Sequence, residues 1–363
     1  MPPVEYRILA ISPGSTSTKF GVFAGSQAVL VRNLRHSEGE MAPFRGRPVL
    51  DQEEFRREAI ERELAAAGEN VSSFHAVAGR GGLLRPVPSG TFRVNQAMLD
   101  DLKEARRGEH ASNLGAVLAH TIAARAEVGA FIVDPVSVEE WPEIARVSGL
   151  ASIERISRSH ALNTKAVAKR YARETGRAYP QLRLIVAHLG TGISVSAHEG
   201  GRMIDVADAV SEGPFSADRA GKLPTAQLAR LCFNGKYTPQ QMEALLWSES
   251  GFYSYLGTKD LAEVERRIDH GDPHAALVFN AMAYQIAKEI GAMATVLLGR
   301  VDALLITGGM AHSARLVAAV QAAVGWIAPL AVYPGEDELQ ALAEGVLRVL
   351  CGEELAREYG AAC

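Results

Sequence analysis

Residues 183–206 read RLIVAHLGTGISVSAHEGGRMIDV, three apolar runs parted by two polar turns, Gly190-Thr191-Gly192 and Glu199-Gly200-Gly201. Short apolar runs bounded by glycine-rich turns are strand signals, so the segment predicts a β-meander. Residues 6–34, YRILAISPGSTSTKFGVFAGSQAVLVRNL, follow the same plan, with a hydroxyl-rich turn after Ile8-Leu9-Ala10-Ile11 and a second turn at Ala24-Gly25-Ser26. Two such openings argue for two similar domains. Several hairpins in one ordinary α/β enzyme would produce the same echo, so both readings stay open at this level. A chain of 363 residues exceeds what one hydrophobic core usually spans, which also favours two domains.

Between the meanders lie helical patterns with start signals. Asp51-Gln52-Glu53-Glu54 has the form of a capping box ahead of a helix over 55–67, and Thr238-Pro239-Gln240-Gln241 opens a helix over 242–247 with proline at its first position. Met282, Ile286, Ile290, Met293 and Leu297 recur at helical spacing and predict a long buried helix. Leu339, Leu342, Val346, Leu347 and Leu350 predict another near the C-terminus. Strands mixed with these helices make the class α/β. Residues 1–140 are expected to form one domain, completed by a returning helix over 340–363, and residues 141–339 the other. The crossings are placed between Asp134-Pro135 and Gly149, and near Tyr333-Pro334-Gly335-Glu336.

Composition excludes several functions. With 47% hydrophobic and 22% charged residues and a formal charge of -4, the chain has no field suited to a polyanionic backbone, so no nucleic-acid partner is expected. MPPVEYRILAIS lacks a basic region followed by an apolar segment and cleavage site, and no apolar run approaches ~18 residues. A cytoplasmic protein without a membrane partner is the expectation. Cys232, Cys351 and Cys363 are dispersed and odd in number, which supports neither a disulfide framework nor a zinc site.

Three glycine turns carry the chemistry. ISPGSTSTK (11–19) offers backbone N–H groups at Gly14, hydroxyls from Ser15, Thr16, Ser17 and Thr18, and a cation at Lys19, a donor set suited to a phosphate. A solvated hairpin tip is the plainer reading of the same residues. AHLGTGISV (187–195) sits at the corresponding turn of the second meander, where Gly190 and Gly192 admit close approach of an anion and His188 lies just before the turn. In LLITGGMAHSARL (304–316) a buried strand ends in Gly308-Gly309 and leads into a helix, a junction that lets a nucleotide lie across bare backbone or simply makes a tight turn. Neither a P-loop nor a dinucleotide fingerprint is present, so any phosphate chemistry uses another architecture.

Two related domains, each with a phosphate-binding hairpin, and a GG turn for the nucleoside resemble the sugar kinase, Hsp70 and actin superfamily. More narrowly the chain resembles the acetate and butyrate kinase family. ISPGSTSTKFGVF (11–23), VAGRGGLLRPV (77–87), VAHLGTGISVSAHEGGRMIDV (186–206), EGPFSADRAGKLP (212–224), TGGMAHSARL (307–316) and VYPGEDELQALAEG (332–345) carry the likeness in the family's order. The resemblance implies duplicated actin-like (ribonuclease H-like) domains, mixed sheets flanked by helices, around a cleft. It implies ATP or ADP and Mg²⁺ as cofactors, with Ser15, Ser17 and Lys19 on the nucleotide phosphates or the transferred group. Arg80 and Arg219 map onto the two arginines that stabilise the transferring phosphoryl group, and His188 onto its hydrogen-bond partner. Gly190 and Gly192 form the second phosphate loop, and Gly308 and Gly309 pack beside adenosine. Asp134 and Glu338 match the magnesium carboxylates, with Glu336 a neighbouring candidate and His110 a histidine near the active site. Helix N-terminal charge is the alternative reading of Glu336, Asp337 and Glu338.

The chain departs from the acetate kinase pattern in having Ser12 where the family carries asparagine, a short GRGGLL segment, and SRSHALN (157–163) in place of HGTSH. The last two resemble the butyrate branch. The implied reaction is transfer of phosphate from ATP to butyrate or a similar short or branched acid, reversibly and in line, by a homodimer or higher homo-oligomer. Acetate or propionate preference is the alternative within the class. An actin-like nucleotide switch, or a kinase degenerate at Ser12, is the alternative outside it.

Overall fold

The structure, a computed structural model, describes residues 5–360. They form two compact units, one from the described residues up to Val138 together with those from Asp337 onward, the other Glu139–Glu336.

In the first unit β1 (Arg7–Pro13), β2 (Ser17–Ala24) and β3 (Gln27–Arg35) form an antiparallel meander. β4 (Ala76–Arg80) adds parallel to β1, and β6 (Gly129–Val133) parallel to β4. β5 (Thr91–Arg93) and β12 (Arg357–Glu358) extend that edge, giving the order β12-β5-β6-β4-β1-β2-β3. In the second unit β7 (Leu184–Leu189), β8 (Ile193–Glu199) and β9 (Arg202–Ala207) form the meander. β10 (Ala303–Gly308) and β11 (Leu330–Pro334) follow in parallel, giving β11-β10-β7-β8-β9. The repeated five-strand plan is the tertiary form of the sequence echo. It is the duplicated, actin-like fold.

Burial explains the strand composition. β7 and β10 are buried along their whole length, as parallel strands covered on both faces require, and their sequences LIVAHL and ALLITG are correspondingly apolar. The Pro273–Val296 helix packs on β7 and β8, burying Met282, Ile286, Ile290 and Met293. The Glu338–Leu350 helix lies against β1, β4 and β6 and buries Leu342 and Val346, so the first unit is closed by the end of the chain. The Asn113–Ala126 helix packs against β4 so tightly that a Cβ on Gly79 would come within 2.0 Å of the Gly115 carbonyl oxygen. Glycine at both positions is therefore a packing requirement.

Two local expectations need correction. The capping box at Asp51–Glu54 does not form: a 3₁₀ turn covers Val49–Gln52, the helix is Glu53–Ala66, and Gln52, its N-cap, makes no side-chain cap. The Gln52 side chain instead accepts from Arg56. The hydroxyl-rich turn is also shorter than its composition suggested, since β1 runs to Pro13 and β2 starts at Ser17, with Gly14 N–H donating to the Ser17 carbonyl at 2.8 Å. Thr18 is thereby a buried strand residue and leaves the exposed donor set. At Thr238–Gln241 proline takes the first helical position as expected, the helix runs Pro239–Ser248, and Thr238 and Gln241 form a capping box.

Candidate active site

The first unit gathers its site residues at the ends of its central strands. Register fixes the geometry: Ile11 lies beside Gly79 in parallel pairing, and Ser12 lies opposite Lys19 in antiparallel pairing. Opposed residues of an antiparallel pair leave the same face of the sheet, so Lys19 emerges on the side of Ser12. Ser12, buried, donates to Glu338 Oε2 at 2.6 Å. Arg80, at the end of β4, reaches the same carboxylate, with Nη1 3.1 Å from Oε1. Glu338 is the first residue of its helix and is itself buried. Sequence reading offered metal binding and dipole complementation as alternatives for Glu338; the local structure shows both a helix start and a convergence of Ser12 and Arg80.

Arg80 owes its position to three glycines. Gly79 is held against Gly115, a Cβ on Gly81 would fall 2.4 Å from Pro135 Cβ, and one on Gly82 would fall 2.5 Å from Asn113 Oδ1. The GRGG strand end, residues 79–82, is thus wedged between the exit of β6 and the start of the Asn113–Ala126 helix, with the arginine as its one side chain. Asp134 follows β6 with φ 38°, a left-handed conformation uncommon for a non-glycine residue. Its buried carboxylate holds it there, Oδ1 accepting from Ser89 Oγ at 2.6 Å and from Gly90 N–H at 2.8 Å. Ser15 and Lys19 are exposed and Ser17 half-buried at the hairpin. His110 is bound locally, with Nδ1 2.7 Å from Ser112 Oγ, at the start of the Asn113–Ala126 helix.

Asp134 and Glu338 supply hard carboxylate oxygens in one unit, and among the described residues no group of three or more His, Cys, Asp or Glu side chains is arranged to hold a metal. That donor set fits Mg²⁺, which takes one or two protein carboxylates and completes its shell with phosphate oxygens and water.

In the second unit the glycine turn between β7 and β8 carries His188, Gly190 and Gly192. His188 is buried, and its Nδ1 lies 2.8 Å from Asn163 Oδ1; with the amide oxygen accepting, Nδ1 carries a proton. The ring stacks on His160, centroids 3.7 Å apart and planes 10° from parallel, while His160 Nδ1 lies 3.0 Å from Ser194 Oγ. His188 Nε2 stands 3.0 Å from Glu336 Oε1 without hydrogen-bond alignment, a buried polar atom with no hydrogen-bond partner among the described residues. Arg219 lies over the same turn. A Cβ on Gly192 would meet its Nη1 at 2.5 Å, and Nη1 donates to the Ala209 carbonyl at 3.0 Å. At Gly190 an added Cβ would come within 2.9 Å of His188 Nε2. Both glycines are therefore needed to keep the turn bare beside an imidazole and a guanidinium.

Gly308 closes β10 with φ 92° and ψ 170°, a region essentially restricted to glycine, and a Cβ there would strike the Leu189 carbonyl oxygen at 2.4 Å. Gly308 and Gly335 exchange backbone hydrogen bonds at 3.1 and 3.0 Å. At Gly309 nothing lies within 4 Å of an added Cβ, so the second glycine leaves open space above the backbone. Each unit thus assembles its own subset: Ser12, Lys19, Arg80, Asp134 and Glu338 in the first, His188, Gly190, Gly192, Arg219 and Glu336 in the second.

Sequence reading passed over His160 and Asn163 as site residues. Their i, i+3 spacing at the start of the Ala161–Glu174 helix, inside the quoted SRSHALN, places both against His188 and was the available signal. It also passed over Arg56, buried beneath the first hairpin.

The fold is that of the acetate kinases. A crystal structure of Porphyromonas gingivalis acetate kinase superimposes with a TM-score of 0.79 at 18% identity, covering 95% of this chain and 100% of that one. A propionate kinase from Francisella tularensis subsp. tularensis SCHU S4 gives 0.76 at 18% identity over 93% and 98%, and an acetate kinase from Entamoeba histolytica 0.74 at 15% over 93% and 98%. Residues 154–332, just under half of the chain, match the Acetokinase family. Members of that family are phosphotransferases with a carboxyl group as acceptor and use ATP or ADP with Mg²⁺.

Proposed function

We propose that the protein is an ATP-dependent short-chain carboxylate kinase, transferring the terminal phosphate of Mg-ATP to a carboxylic acid to give an acyl phosphate and ADP, by direct in-line transfer. The observation that carries this reading is the β7–β8 turn: a ring-oriented, buried histidine whose Nε2 makes no aligned hydrogen bond, beside two glycines whose added Cβ would crowd that imidazole and an arginine guanidinium. A phosphoryl group in flight spreads charge over equatorial oxygens, so catalysis needs positioned donors and positive charge rather than a nucleophile.

On this reading Arg219 and Arg80 neutralise the transferred group, His188 donates to one of its oxygens from a protonated Nε2 while Nδ1–H stays on Asn163, and the turn glycines with Ser15, Ser17 and Lys19 hold the nucleotide phosphates. Gly308 and Gly309 pass beside adenosine. Mg²⁺, supplied with the nucleotide, would offset the charge of the phosphates, and Asp134 and Glu338 are the carboxylates that would hold it. The preferred acid is butyrate or a branched short-chain acid, a reading supported by the short GRGGLL segment and by SRSHALN. One methylene is worth only ~1–3 kcal/mol of discrimination, so the preference is graded across chain length. The domain assignment, the cytoplasmic location and a homodimeric or larger assembly belong to the same proposal.

The test is acyl phosphate formation, trapped as the hydroxamate, with Mg-ATP and acetate, propionate, butyrate, isobutyrate or isovalerate, beside an Arg219→Ala control. Product rising toward four carbons and lost in the control is expected. Equal kcat/KM for acetate and butyrate would overturn the chain-length assignment, and no product with any acid would overturn the kinase.

A further inference from the structure

One buried charge in the first unit has no role in the chemistry above. Arg56, on the Glu53–Ala66 helix, is 1% exposed. A guanidinium has five N–H donors in a fixed fork, and all five are used. Nε and Nη2 donate to Gln52 Oε1 at 3.0 and 2.8 Å; Nη1 donates to the Ser17 carbonyl at 2.8 Å and to Thr18 Oγ1 at 2.9 Å; Nη2 donates to the Ser15 carbonyl at 3.1 Å. Every acceptor is neutral, and among the described residues no carboxylate pairs with Arg56. Its hydrogen bonding is complete and its charge is not compensated.

Those acceptors lie in the ISPGSTSTK hairpin. The Ser17 carbonyl is shared between Arg56 and the Gly14 N–H, so the guanidinium braces the hydrogen bond that closes the turn. The Ser15–Thr16 peptide is trans, and a planar trans peptide turns N–H and C=O in opposite directions. With the Ser15 carbonyl drawn inward to Arg56, the Thr16 N–H faces the exposed side of the turn. Thr18 Oγ1 accepts from Arg56 and also makes a hydrogen bond with His36 Nε2, 2.8 Å away. His36 is kept in its neutral form by burial and then by Arg56, so it adds no second cation and no compensating anion. Burial lowers the Arg56 pKa only to about 10, so the guanidinium stays charged at neutral pH.

The geometry points to Arg56 as a positioning residue for polyphosphate: it turns the Thr16 N–H of the Gly14–Ser17 turn outward and places a permanent positive charge beneath it, to be compensated when a nucleotide's phosphates bind. The inference rests on the reading of this hairpin as the nucleotide-phosphate loop. It goes beyond it in assigning the loop's shape and charge to a side chain outside the motif. Lysine cannot substitute, because one ammonium has three donors on a flexible stem and cannot span Ser15, Ser17, Thr18 and Gln52 at once.

The experiment compares dissociation constants of Mg-ATP, inorganic tripolyphosphate and adenosine by calorimetry for the 363-residue wild-type chain, Arg56→Gln and Arg56→Lys, with thermal melts of each. Arg56→Gln is expected to weaken ATP and tripolyphosphate at least tenfold while leaving adenosine within twofold, and Arg56→Lys to recover only part of the loss. A purely structural staple would weaken adenosine equally or leave all three unchanged in the folded variant, and either result overturns the proposal. Gln52→Ala, which loosens the guanidinium without removing its charge, guards against a variant that does not fold. It is expected to weaken ATP about threefold with adenosine unchanged, and unaltered ATP affinity in it counts against the idea. A wild-type chain that binds ATP in an Arg56-dependent way yet forms no acyl phosphate would remove the kinase reading and keep this one. A wild-type chain that binds neither ATP nor tripolyphosphate removes both.

Discussion

Gly192→Ala isolates the arrangement on which the kinase reading depends. The backbone there lies outside the left-handed region, so alanine brings no conformational strain. What it brings is a methyl group 2.5 Å from Arg219 Nη1 and 2.8 Å from its Cζ. Ordinary contact begins near ~3.4 Å, so the guanidinium must move by about 1 Å and gives up its alignment with the Ala209 carbonyl. The other close neighbour, Ala209 Cβ at 3.1 Å, needs to yield only a few tenths of an ångström. Removing one preorganised donor from a developing anion costs about 10²–10³ in kcat, or ~2.7–4 kcal/mol. Gly192→Ala is therefore expected to lower kcat for acyl phosphate formation by about that factor. Its melting temperature should stay near wild type, because the clash is with the far end of a side chain. The decisive comparison is a double-mutant cycle, since with Arg219→Ala there is no guanidinium to displace and the double variant should be no slower than Arg219→Ala alone. An equal penalty for Gly192→Ala in both backgrounds would refute the reasoning.

Gly308→Ala should behave oppositely. A glycine-only backbone region and a 2.4 Å approach to the Leu189 carbonyl predict a loss on the order of 3 kcal/mol or more in stability, read as a lower urea midpoint. Ser12→Ala removes a buried 2.6 Å hydrogen bond to Glu338 and should raise the Mg²⁺ concentration needed for half-maximal activity about tenfold, whereas Ser12→Asn should give no marked gain, since serine already holds the carboxylate. His198 sits between Tyr179 Oη at 2.7 Å and Ser196 Oγ at 2.8 Å, and burial with Lys165 nearby lowers its pKa from 6.5 to about 3. The unfolded chain takes up this proton as pH falls through 6.5 and the folded chain does not, so stability falls as pH drops below about 7, with a slope that approaches about 1.4 kcal/mol per unit near pH 5. Denaturant titrations should show that His198→Gln loses this part of the slope, while the smaller contribution of the same sign from His36 remains.

Much of the fold was legible in the chain itself. Short apolar runs between glycine turns marked both meanders, and Thr238-Pro239 marked a helix start, because turn chemistry and helix capping are local consequences of side-chain chemistry. The capping-box reading at Asp51 failed because a 3₁₀ turn over Val49–Gln52 moves the helix start to Glu53, which leaves Gln52 as the N-cap with its side chain engaged by Arg56 one turn on. The glycines of GRGG and HLGTG were visible as turns. That Gly79 faces Gly115, or that Gly192 lies under Arg219, was not, since those distances are set by elements far apart in sequence.

What the sequence determined by itself was the pattern: two meanders, buried parallel strands, and bare turns flanked by histidine and arginine, each following from periodicity and from the conformational freedom of glycine. Only the tertiary structure decided which polar groups lose water. Within EEFRREAIEREL every charge reads as a solvated face, yet Arg56 shares the stripe of Ile60 and Leu64 and is buried with them, while Arg57 stays beside Glu61. The difference is that two carbonyls and a hydroxyl of a hairpin some forty residues earlier, together with the Gln52 side chain, meet all the Arg56 donors, and a buried guanidinium persists only where such acceptors are assembled in three dimensions.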